Sequence, residues 1–141
     1  KVSRSQTRRY LVEVLYQCAL RDADVQEILV RYKKKKRVDI DYLATCVTGI
    51  FANKNEIEAL ISKTLDDRSF AELDIIESCI LQIGAYELAY QYDVPYKVVL
   101  DECINLAKHF GGQDSHKLVN ASLDLIAKEV RKLECDNSSQ S

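Results

Sequence analysis

The sequence predicts an all-α protein of six or seven helices, and three observations carry that reading. Apolar residues recur at i, i+3, i+4 and i+7 in one segment after another. No run alternates apolar and polar residues with the period of two that a half-buried strand requires. The connections between periodic segments are short, and no internal repeat interrupts them.

The first helix is expected over Arg4 to Ala19, where Leu11, Val14, Leu15 and Cys18 form the apolar stripe and the first turn bears arginines. Asp24, with Glu27 three residues on, resembles a capping box, and Val25, Ile28, Leu29 and Tyr32 repeat the stripe up to a lysine run. From Asp41, a helical period through Leu43, Cys46, Val47, Ile50, Ile57, Leu60, Ile61 and Leu65 predicts one long helix or two joined ones, crossing Gly49. Ser69 and Glu72 form an S-x-x-E capping box, which predicts a segment from there to about Tyr92. Its apolar residues, Ile75 to Ala89, cover nearly the whole circumference, so this helix is expected at the centre. Pro95, at or near a first helical position, opens the next helix, which runs to Phe110. Gly111-Gly112 then offers a left-handed C-cap, and Asp114 or Ser115 caps a last helix through Val130. Residues 1–133 are expected to form one helical domain, with 134–141 a disordered polar tail.

The chain is 47% hydrophobic and 30% charged, which excludes collagen-like and wholly disordered classes. No apolar run reaches the ~20 residues of a spanning helix, and Lys1 to Arg9 has no signal-peptide core, so a soluble cytoplasmic protein is expected. Five cysteines without a C-x-x-C pair predict neither a zinc site nor a disulfide framework. Cys18, Cys46, Cys79 and Cys103 read instead as small buried hydrophobes. The net charge of −2 hides an asymmetry: Lys1 to Arg37 carries 11 basic and 4 acidic residues, the remainder 9 and 18. The basic residues cluster at Lys1, Arg4, Arg8 and Arg9 and again at Arg31 to Arg37. Such an amino-terminal surface attracts a polyanion, although cations at a helix carboxyl end are also favoured by the dipole. The usual phosphate, dinucleotide, zinc and acyl-transfer motifs are missing, so no catalytic residue, metal site or cofactor is expected.

Longer strings are more specific. DVPYKVVLDECINLAKHFGGQDSHKLVN (Asp93 to Asn120), IGAYELAY (Ile83 to Tyr90), Leu73 to Glu77, and R-x3-RR-x5-LYQ ending at Gln17 together resemble the NusB family of transcription antitermination factors. The likeness runs from about Arg4 to Arg131. It implies two small three-helix bundles packed across one another and a non-enzymatic role: binding boxA single-stranded RNA together with NusE, the ribosomal protein that is its partner. That complex helps RNA polymerase read through terminators, notably in ribosomal RNA operons.

By position, the resemblance places RNA contacts at Arg4, Arg8 and Arg9 and at Asp114, Ser115, His116, Lys117 and Leu118. It places NusE contacts at Tyr16, Leu20 and Glu77. Arginine suits the first set, because its planar fork matches phosphate oxygens and stacks on unpaired bases. Tyr16 and Leu20 are four apart and share a helix face. The sequence departs from the family pattern at Leu118, where Phe is common, at Gln113, where an acidic residue is usual, and at Ala121, where Gly is usual. Without a ring at 118 there is no base stacking there. The alternative reading is a helical protein-docking or self-association module, a homodimer among its forms, with weak or no RNA binding. A detached accessory domain of an RNA methyltransferase is less expected, because the chain ends in a polar tail.

Overall fold

The computed structural model describes residues 2–140. Lys1, a member of the first basic cluster, and Ser141 lie outside the described residues. Among the described residues eight α-helices follow in order: α1 (Arg4–Leu20), α2 (Val25–Tyr32), α3 (Ile40–Ala52), α4 (Lys54–Ser62), α5 (Ile75–Tyr90), α6 (Tyr96–Phe110), α7 (Ser115–Val130) and α8 (Lys132–Gln140). Among the described residues every regular element is helical, and none is long and apolar enough to cross a membrane.

Two three-helix bundles organise the chain. α1, α2 and α3 pack together, as do α5, α6 and α7, while α5 lies against α1, α3 and α4 across the junction. This central place follows from its apolar circumference: Ile80, Leu81, Ile83, Ala85 and Leu88 are wholly buried. Each such Ile or Leu contributes roughly 1.5–3 kcal/mol by leaving water. Gly49 on α3 is a point of close approach, since a Cβ there would stand 2.3 Å from the Tyr86 ring of α5.

Several boundaries differ from the sequence reading. The long periodic segment after Asp41 takes the second form the sequence allowed, two joined helices that meet at Asn53, whose side-chain amide donates to the Gly49 carbonyl at 2.8 Å and closes α3. The Ser69–Glu72 box exists, with the Glu72 carboxylate accepting from the Ser69 N–H at 3.0 Å, yet it opens only one 3-10 turn, Phe70–Glu72. Leu73 is then extended and buried, and α5 begins after Asp74, whose carboxylate accepts from the N–H groups of Ile76 and Glu77.

Gly111 does not take the left-handed cap; its φ is −88° and no glycine has a positive φ. Glycine is needed there for space, because a Cβ would lie 2.7 Å from the Ala107 carbonyl oxygen and 2.7 Å from the Ser115 Cβ.

The segment expected as a disordered tail from residue 134 is helical to Gln140. Arg131, 4% exposed, donates to the carbonyls of Leu88, Glu87 and Gln91 at the carboxyl end of α5. Its guanidinium also donates to Glu134 at 2.7 Å, and Glu134 in turn accepts from the Tyr96 N–H at 2.8 Å. Pro95 precedes that amide and offers no capping side chain. Glu134 therefore caps α6, which ties the start of α8 to the turn between α5 and α6.

Candidate nucleic-acid and partner interface

Ser3 starts α1 by accepting the Gln6 N–H at 3.2 Å, and the following turn presents the three arginines in different directions. Arg4 stands outward, with its guanidinium 4.0 Å from the Tyr42 ring centroid and 3.7 Å from Asp93. Arg9 is exposed and lines a surface groove of about 390 Å³ with Ser5, Glu102, Asn105, Lys108 and His109. The groove follows from the packing of α1 on α6, whose last turn carries Lys108 and His109.

Arg8 points the other way, and the expectation that it meets RNA phosphates is corrected. Its side chain is 3% exposed and its Nε and Nη2 donate to both carboxylate oxygens of Glu87 on α5, at 2.9 to 3.2 Å. The Tyr42 hydroxyl of α3 donates to the same carboxylate. Burial opposes the charge on Arg8 most strongly. The hydrogen bonds and charge of Glu87, helped by Tyr42 and Glu102, overcome it and hold the guanidinium above the ordinary arginine value. The helical period explains the divergence: position 8 faces the second bundle, while position 9, about 100° further round, faces outward.

The turn at 111–118 is built around Ser115, which is also buried rather than presented. Its hydroxyl donates to Glu77 at 2.7 Å and accepts the Gly112 N–H at 3.0 Å. One residue expected to contact RNA thus holds one expected to contact NusE, joining the starts of α7 and α5. Asp114 precedes α7 without capping it and pairs with Lys117 at 3.4 Å, both well exposed. His116 is half-buried, and Leu118 packs on the core.

Tyr16 and Leu20 remain at the surface, 36% and 55% exposed. With Arg9 they are spaced i, i+7, i+11, so the cationic and apolar positions share one stripe of α1. Asn105, Lys108 and His109 are additions that the sequence reading missed. The signal for Lys108 and His109 was present in the string Ala107 to Gly112, where both are basic residues in a last helical turn.

These features define an all-helical protein with an exposed cationic and apolar stripe along α1 beside the turn before α7. The chain belongs to the NusB family, whose model matches residues 5–128. It is 38% identical over 135 residues to the transcription antitermination protein NusB of Acinetobacter baumannii, covering 94% of this chain and 90% of that one. The NusB protein of Thiobacillus denitrificans is 38% identical over 139 residues, covering 96% and 95%. The solved NusB structure of T. maritima superposes with a TM-score of 0.87 at 32% identity, covering 96% and 99%. A crystal structure of antitermination factors NusB and NusE in complex with dsRNA matches with a TM-score of 0.78 at 25% identity, covering 89% and 96%.

Proposed function

We propose that the protein is a cytoplasmic transcription antitermination factor that binds boxA RNA together with NusE and promotes readthrough of terminators, notably in ribosomal RNA operons. It works by binding rather than catalysis. The observation that carries this reading is the groove in which Arg9 meets Lys108 and His109, on the same α1 stripe as exposed Tyr16 and Leu20. Cations along an open groove suit a phosphate backbone, and arginine and histidine also offer faces on which unpaired bases stack. Lys117, Asp114 and His116 extend the polar surface at the neighbouring turn, while Arg8, Ser115 and Leu118 position it from within. Tyr16, Leu20 and Glu77 are the proposed NusE contacts.

A second reading, a protein-docking module with weak RNA binding, draws on the packing of Leu118 against the core, which leaves no aromatic ring at that position. Binding of single-stranded boxA RNA, its duplex form and a scrambled control, with and without NusE across a salt series, separates the two. If Arg4, Arg9 and Lys108 each neutralise one phosphate, log affinity falls with log salt at a slope of about −2, and Arg9→Ala flattens it by about 0.7. NusE should tighten binding selectively for boxA. Undetectable RNA binding with intact NusE association would leave the docking module.

A further inference from the structure

We propose that the loop Lys33 to Arg37 is a second RNA-binding track, which takes single-stranded RNA flanking the boxA element along the opposite flank of α1. The proposal rests on the reading of α1 as an RNA-binding helix. All five side chains of the loop are exposed, and among the described residues none lies within ion-pairing distance of a carboxylate. Neighbouring acids are engaged elsewhere: Glu13 accepts from the Tyr32 hydroxyl at 2.9 Å, and Asp39 caps α3 by accepting the Tyr42 N–H.

A helix carboxyl end explains only the beginning of the run. Lys33 is the C-cap of α2 and gains from its dipole. The rest of the loop turns back onto the amino end of α1, where the dipole is positive and cations are disfavoured. There the Arg37 carbonyl accepts the Ser3 N–H at 2.9 Å, and the Lys36 carbonyl accepts the Tyr10 hydroxyl at 2.8 Å. Arg37 has a φ of 63°, the one positive φ among the described non-glycine residues, so the chain accepts left-handed strain to hold this course. Lys35 lies 5.6 Å from the Tyr32 ring centroid.

The first turn of α1 contains no acidic residue to offset this charge. A fixed backbone thus sets the lysines beside a helix amino terminus, which makes one positive surface. Such a surface gains most when an extended polyanion arrives. Ser5 and Arg9 face α6 while Ser3 and Tyr10 meet the loop, so the two cationic surfaces flank α1 about one helix diameter (~10–12 Å) apart. A strand leaving the groove can cross α1 to reach the loop.

The test compares boxA RNA with the same RNA carrying an oligouridine tail, placed in turn at either end. Each is titrated across salt with the full chain, with Arg9→Ala and with the triple variant Lys33→Gln, Lys34→Gln, Lys36→Gln. Lys35 and Arg37 are retained because they hold the loop. The tail should tighten binding to the full chain. The triple variant should lose that gain and shallow the tailed RNA's log–log slope by about 2, at about 0.7 per phosphate. Between 50 and 200 mM salt, the full chain then loses about 16-fold more affinity for tailed RNA than the variant does. Untailed boxA should bind both equally and weaken with Arg9→Ala. A tail that gives no gain, or a gain that survives in the triple variant, overturns the proposal. If the full chain does not prefer boxA over scrambled RNA, the boxA reading fails, while loss of the tail gain in the triple variant still supports the loop.

Discussion

Replacing Arg8 with Met tests whether this arginine is an internal strut. At 2.9 Å and an effective dielectric constant of about 20, its attraction to Glu87 is about 6 kcal/mol. Burying the two ions costs several kcal/mol each, so the intact pair adds little net stability. Arg8→Met leaves Glu87 buried with only the Tyr42 hydroxyl, and loss of one partner of such a pair costs about 3–5 kcal/mol. At roughly 3–5 °C per kcal/mol for a chain of this length, Tm falls by about 9–25 °C. The triple replacement Arg8→Met, Glu87→Leu, Tyr42→Phe removes the buried members of the network and should recover most of the loss, because the remaining Glu102 is part-exposed and still accepts from the Ser5 hydroxyl at 2.6 Å. Urea unfolding followed by circular dichroism reads both values. A cost below about 1 kcal/mol for Arg8→Met, or a triple variant no better than the single one, would refute the reasoning. Below its melting transition, Arg8→Met should keep the salt slope of RNA binding, in contrast with Arg9→Ala.

Glu134 accepts hydrogen bonds from Tyr96 and Arg131, which outweigh its partial burial and hold its carboxyl below the ordinary carboxylate range. A depressed folded value stabilises above the unfolded pKa of about 4.3 and is lost as pH falls through the folded value, so the stability gap between wild type and Glu134→Gln should be full at neutral pH and close in acid. Thermal melts across that range check the sign. Gly111→Ala places a Cβ against the Ala107 carbonyl and Ser115, and should cost about 1–3 kcal/mol in urea unfolding. Ser115→Ala strands the Gly112 N–H and frees Glu77, for a loss of about 1–2 kcal/mol, and hydrogen exchange at Gly112 should quicken.

The positions of α1, α2, α3, α6 and α7 were legible because each buries one stripe against its neighbours, and a stripe leaves a 3.6-residue period in the sequence. The central place of α5 was legible for the same reason, since an apolar circumference needs partners on every side. Charged residues carried less information. Arg8 and Arg9 are adjacent and chemically identical, and only the packing of α1 on α5 turns one into a buried partner and leaves the other on the surface. Glu87 was a clue, because a carboxylate flanked by apolar residues within a helix needs a partner, but its arginine lies 79 positions away. The Ser69 box was real and still misled, because the buried Leu73 forces an extended link before α5.

Local chemistry thus set the helices, the apolar faces, the basic amino-terminal region and the family likeness, since each depends on residues within a turn or two of one another. Long-range packing decided which arginine meets solvent, that Ser115 holds Glu77, that Glu134 caps α6 and that the lysine loop folds back onto α1. Those outcomes depend on which distant groups burial brings within hydrogen-bonding distance, and buried polar groups must find partners wherever the chain supplies them.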